Sequence, residues 1–166
     1  EAKASFDPDL EIAMEVIQCR GSFMVPGDFE LSYLFPSDFL NQGAKLALLG
    51  GTDHTSQPTA NQFGMTAFWM NDRSTVGMWD AIRKRHTYAL SNGKMALWVD
   101  VEGHPMGSVL SVADARFYVK VSSGRPLRRI GLIRNGEIIS WTDLSGDAWQ
   151  GIITDASPPE GSHWYT

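Results

Sequence analysis

Leu46-Ala47-Leu48-Leu49-Gly50-Gly51-Thr52-Asp53-His54-Thr55 is an unbroken apolar run that passes through two glycines into an acid and an imidazole. Apolar residues without alternation predict a strand covered on both faces, the kind that parallel sheets contain. In such sheets, sites form at the carboxyl ends of strands, where loops converge over a rigid base. Asp53 and His54 stand at that position. Carboxylate and imidazole are common ligands for divalent ions that activate water, which makes both residues candidates for catalysis and for metal binding. They would equally serve as a turn cap and a surface loop residue, and two ligand types alone do not complete a site.

Upstream, Ala13-Met14-Glu15-Val16-Ile17-Gln18 predicts a second buried strand, ended by Arg20-Gly21-Ser22. A carboxylate within an apolar strand requires a partner, so Glu15 either binds a cation or lies on a solvated face. Ser37 is expected to cap a short helix through Gln42, closed by Gly43. Downstream, Gly64 to Met70 predicts a strand, and Ser74 to Lys84 a helix with Val76, Trp79 and Ile82 along its apolar side. Alternation of strand, helix and strand over residues 13–90 predicts an α/β layer with parallel strands. The basic run after the helix suits its dipole, and Arg85, His86 and Tyr88 are candidates to meet an anionic substrate at the same strand ends.

Beyond Gly93 the rhythm becomes that of short strands between turns, namely 96–101, 116–121, 130–134, 136–141 and 149–154. Asn135-Gly136 predicts a tight hairpin. This half reads as an antiparallel β-sandwich of about six strands, with the alternation at Ser162 to Thr166 read as a truncated last strand. The domain boundary is placed near Ser91-Asn92-Gly93, giving residues 1–92 and 93–166. Trp98, Trp141 and Trp164 are expected to pack the sandwich core, with a sugar-binding aromatic face as the alternative. His104 and His163 are read as structural, and the lone Cys19 as a buried, inert thiol.

The 166 residues are 43% apolar and 20% charged, the composition of ordinary globular domains. Fourteen Lys and Arg against nineteen Asp and Glu give a net charge of −5 without a basic block, which argues against nucleic acid. No stretch approaches the roughly 20 apolar residues of a membrane span. A soluble chain is expected, with any signal peptide upstream of Glu1 and the compartment open.

The order of these motifs resembles a branch of the PHP (polymerase and histidinol phosphatase) superfamily. Gly50-Gly51-Thr52-Asp53-His54-Thr55-Ser56-Gln57-Pro58 is similar to that branch's glycine, acid and histidine motif with Pro four residues on. Gly64 to Trp69, Met78 to Ile82 and Arg85 to Gly93 are similar to its helix followed by Arg-x-x-Tyr-Ala. Val101 to Ser108, Ile133 to Glu137 and Pro158 to Tyr165 resemble its C-terminal β appendage. The likeness runs from about Glu15 to the end. It implies the C-terminal part of a distorted α/β barrel followed by the sandwich, and metal-assisted hydrolysis of a phosphoester or related ester. Zn, Mn or Fe ions would be held by Glu15, Asp53 and His54. In the family motif Asp-x-His, alignment on His54 and Pro58 puts Thr52 where the first acid is expected, so Asp53 would have to serve instead. The family's His-x-His ligands would lie in a missing N-terminal half, and the 166 residues alone are expected to be inactive. The competing expectation is a non-catalytic binding or assembly protein on a degenerate scaffold of this kind.

Overall fold

The structure, a computed structural model, describes residues 6–19, 21–24, 35–53, 64–91 and 93–166. Contacts divide the chain into two compact units, residues 1–92 and 93–166. Both are rich in strands, the first has two helices as well, and the described strands form open sheets that do not close into a barrel.

In the first unit, β1 (Ala13–Gln18) pairs parallel with β3 (Ala47–Gly50), Met14 opposite Leu48 and Glu15 opposite Leu49. A register shift after Glu15 brings Ile17 opposite Gly50. The short β2 (Gly21–Ser22) returns antiparallel along β1. β4 (Met65–Phe68) and β5 (Thr87–Leu90) form an antiparallel pair of their own, so the expected all-parallel layer reduces to one parallel pair. Apolar runs report burial, whereas the direction of a strand depends on its connections. Threonine hydroxyls join the two pairs. Thr66 Oγ1 accepts from the Gly50 amide at 2.9 Å and donates to the Gly50 carbonyl at 2.8 Å, and Thr87 Oγ1 donates to the Leu48 carbonyl at 3.1 Å. These hydroxyls satisfy backbone groups of β3 that no ladder reaches on that side.

Helix α1 (Pro36–Asn41) begins two residues earlier than expected, with Phe35 in place of Ser37 as N-cap and Ser37 buried inside the first turn. Pro36 sets this start, because a residue before proline is held extended and the proline ring fits the first helical position. The Asp38 carboxylate accepts from the Phe35 amide at 3.3 Å. In α2 (Thr75–Arg83) the Ser74 hydroxyl caps the Gly77 amide at 3.1 Å. Its buried residues are Ala81 and Ile82, whereas Val76 is 76% and Trp79 46% exposed, contrary to the expected apolar stripe. The Arg83 guanidinium lies 5.9 Å from the Trp79 ring centroid, which gives the exposed indole a polar partner.

The second unit consists of two antiparallel sheets. One has the order β11-β8-β6-β7, from β6 (Met95–Val101), β7 (His104–Pro105), β8 (Ala115–Ser123) and β11 (Ala148–Asp155). The other is the hairpin of β9 (Arg129–Arg134) and β10 (Glu137–Asp143). Asn135 at φ 52° and Gly136 at φ 91° form the tight turn between them, as the sequence predicts. Between the sheets, Ala115, Phe117 and Val119 of β8 meet Leu132 of β9 and Ile153 of β11. Leu97, Val99 and Ile139 pack against this cluster. Each of the larger apolar side chains here contributes about 1.5–3 kcal/mol by leaving water.

Two tryptophans face away from that core, against expectation. On β6 the odd-numbered residues point inward, so Trp98 lies on the outer face, its Nε1–H donating to Asp100 at 3.1 Å. Trp141 is 52% exposed and lies flat over Gly131, directly across the hairpin, where a Cβ would collide with the ring. The missing side chain supplies a flat seat for the indole, and Arg129 flanks the ring at 5.2 Å.

Candidate functional site

Where β1 and β3 end, three stretches of backbone meet at glycines. The Gly51 amide donates to the Ile17 carbonyl at 2.9 Å, and the Gly64 amide to the Gly51 carbonyl at 3.2 Å. A Cβ at Gly50 would strike the Met65 carbonyl, and one at Gly64 would strike the backbone of Gly51 and Ile17. Side chains are excluded from these two positions by neighbouring main chain. At Gly51 the obstacle differs, for a Cβ there would occupy the place of Glu15 Oε1. The glycine leaves room for a carboxylate.

Glu15 therefore reaches the carboxyl end of β3, as a shared strand-end site requires. Its side chain is exposed to solvent, so the solvated-face alternative describes it and no buried charge demands a counter-ion. Gln18 Nε2 donates to Glu15 Oε2 at 3.0 Å. Asp53, half-buried, holds φ 57°, a left-handed conformation that Asp tolerates better than most residues. Its Oδ2 lies 3.9 Å from the Cys19 thiol, which is also 3.8 Å from Gln18 Oε1. Cys19 is thus half-buried at the strand end in contact with a carboxylate, and not sealed in the core. The sequence reading missed this role, although Cys19 immediately follows β1. Thr52, at the expected acid position, directs its hydroxyl to the Asp53 carbonyl at 3.4 Å.

The strand end thus gathers Glu15, Gln18, Cys19 and Asp53. His54 lies outside the described residues. Among the described residues no group of three or more His, Cys, Asp and Glu side chains is placed to hold a metal ion. Glu15 and Asp53 supply carboxylate oxygens, the donor type that divalent ions take, but two such residues do not complete a site.

Arg85 and His86, which precede β5, are not brought to this end. Arg83 and Arg85 line a cleft with Ile12 and Lys45, the residues that lead into β1 and β3, at the opposite pole of the sheet. Arg85 follows the last turn of α2 at φ 59°, its amide bonded to the Ile82 carbonyl at 2.9 Å and the His86 amide to the Ala81 carbonyl at 2.8 Å. This is the six-to-one helix ending in which glycine is the usual left-handed residue. His86 is held below the ordinary histidine range by burial and then by the adjacent Lys84 charge. Tyr88 lies within β5, opposite Ala67.

The chain matches no protein-family model, no curated protein and no solved structure. No helix among the described residues is long and apolar enough to cross a membrane.

Proposed function

We propose that the chain is part of a metal-dependent hydrolase of the PHP kind, acting on a phosphoester or related ester, with the β1 and β3 strand ends as one corner of its metal centre. The supporting observation is that the parallel register carries the Glu15 carboxylate over Gly51, on the same strand end from which Asp53 contacts Cys19. Glu15, Asp53 and the adjoining His54 would hold the ion. A bound divalent ion would acidify water and offset charge on the attacked group. Gly51 keeps the place of the Glu15 carboxylate open, Gln18 orients it, and the Cys19 thiol steadies Asp53 against rotation.

The test compares hydrolysis of an aryl phosphate with added Mn²⁺ or Zn²⁺ by these 166 residues and by a longer chain that supplies upstream His ligands. Residues 1–166 should be inactive and the longer chain active, with most of that activity lost in His54→Ala. Loss of a ligand should weaken metal binding by more than the roughly 10–100-fold seen for outer-shell changes. Turnover by the 166 residues alone, or unchanged turnover in His54→Ala, would remove the metal role from this loop.

One observation favours a second reading, a carbohydrate-recognition role for the second unit. The exposed Trp141 ring lies on the hairpin over Gly131, beside the cross-strand pair of Arg129 and Asp143, whose side chains meet at 2.9 Å. An aromatic platform with adjacent planar polar groups suits the apolar face and hydroxyls of a sugar ring. Titration with neutral oligosaccharides should then quench tryptophan emission in the native protein and not in Trp141→Ala.

A further inference from the structure

The cleft at the amino ends of β1 and β3 has a volume of about 380 Å³, within the usual range for small-molecule sites. Its lining has two characters. Phe6 and Ile12 supply apolar wall, while Lys45, Arg83 and Arg85 supply three cations against the single acid Glu11 among the described lining residues. That acid already accepts from the Asp7 amide at 2.9 Å. Two guanidiniums and an ammonium over a concave, partly apolar surface concentrate positive potential where field lines are focused by the walls. Arg also presents paired donors that match the oxygens of a tetrahedral dianion.

A second observation singles out Arg85. The chain places a long cationic residue at the left-handed helix-ending position where glycine would be less strained. A residue kept in a costly conformation is a pointer to use, and here its side chain borders the cleft. The conformation turns the chain sharply from α2 into β5 and puts Arg85 and Arg83 on the same cleft.

We propose that this cleft binds a phosphate dianion, with Arg83, Arg85 and Lys45 on its oxygens and Phe6 and Ile12 against the organic group when the phosphate is esterified. The site lies at the opposite end of the sheet from the Glu15 and Asp53 corner and needs no metal. Its success or failure is therefore separate from that of the hydrolase reading.

The test is isothermal titration of the 166-residue protein in EDTA at constant ionic strength, with inorganic phosphate, phenyl phosphate and acetate as probes. Saturable phosphate binding at least tenfold tighter than acetate is expected. Tighter binding of phenyl phosphate than of inorganic phosphate would identify a monoester as occupant, and the reverse order the free anion. Arg85→Gln and the double variant Arg83→Gln with Lys45→Gln should each weaken binding roughly tenfold to a hundredfold, the range for charge-assisted hydrogen bonds. Arg85→Gly serves as the variant certain to keep its helix ending, and it should lose affinity without losing stability. Absence of saturable binding, equal affinity for acetate, or full affinity in folded Arg85→Gly would overturn the assignment.

Discussion

Three glycines at the strand ends share a residue type but answer to different neighbours, and substitution separates them. Gly50→Ala and Gly64→Ala drive a methyl into main chain that cannot yield, so each should destabilise the first unit by about 1–3 kcal/mol or more, the range for overpacking. Gly51→Ala meets only the far end of the Glu15 side chain, which can swing away. Its melting midpoint should stay close to the parent's, while any divalent-ion affinity seen by titration falls. Equal loss of stability in all three would refute the view that Gly51 serves a carboxylate. Arg85→Gly goes the other way. Relief of the left-handed conformation should stabilise the protein by about 1 kcal/mol, read as a rise in melting midpoint. A fall would show that the contacts of the Arg85 side chain outweigh its backbone strain.

Among the elements, the β9–β10 hairpin shows how far local chemistry can carry a reading. Asn-Gly dictates its turn because both central residues need positive φ. Asn135 does more than the turn requires. Its Oδ1 accepts from the Trp164 amide at 3.1 Å, and its Nδ2 lies 2.8 Å from His163 Nδ1. His163 Nε2 is 2.7 Å from the Pro159 carbonyl, so the network assigns the proton to Nε2 and makes Nδ1 the acceptor. Asn135→Gly should keep the turn and lose these bonds, at about 1–2 kcal/mol. Asn135→Ala should cost about 1 kcal/mol more, since alanine resists the left-handed region. Urea melts of both variants decide the order. Leu132→Ala, in the centre of the core, should cost about 2–5 kcal/mol in the same assay.

What stayed hidden was orientation. The strands 13–18, 47–50 and 65–68 were legible from apolar runs bounded by glycine, but a run without alternation has no face and no direction. The outward Trp98 was unreadable because its strand is oriented by a partner 22 residues on, and the outward Trp141 because a register shift between Ile138 and Ser140 resets the alternation of β10. At the candidate site, Asp53 was legible from its position after the glycines. Cys19 was not, because it approaches Asp53 across 34 residues of sequence.

At the scale of the whole molecule, acid and alkali act on different groups. Burial alone would raise the Asp155 carboxyl, but hydrogen bonds from Arg134 at 2.7 Å and Tyr165 at 3.0 Å outweigh it and hold the group below the usual range. The stability it contributes is present above the unfolded carboxyl value of about 4 and is lost as pH falls through the lower native one. His86, also lowered, contributes above its ordinary value and loses that contribution on acidification. Burial, followed by the bond to Asp155, pushes Tyr165 up from 10.0 to about 12. Its contribution is complete below pH 10 and disappears as pH rises toward 12. Melting midpoints across this range should fall at both ends. Asp155→Asn should flatten the acid limb and Tyr165→Phe the alkaline limb, and limbs unchanged in these variants would place the titration elsewhere.

The segment that carries Tyr165 also has a colloidal consequence. The Ile133 amide donates to the Thr166 carbonyl at 2.8 Å, the Thr166 amide to the Ile133 carbonyl at 3.0 Å, and the Asn135 amide to the Trp164 carbonyl at 3.1 Å. These bonds occupy the side of β9 that β10 leaves open. Without residues 164–166 that side would present a ready-made template for strands of other molecules. Residues 1–163 should therefore scatter light and bind an amyloid dye at concentrations where residues 1–166 stay clear.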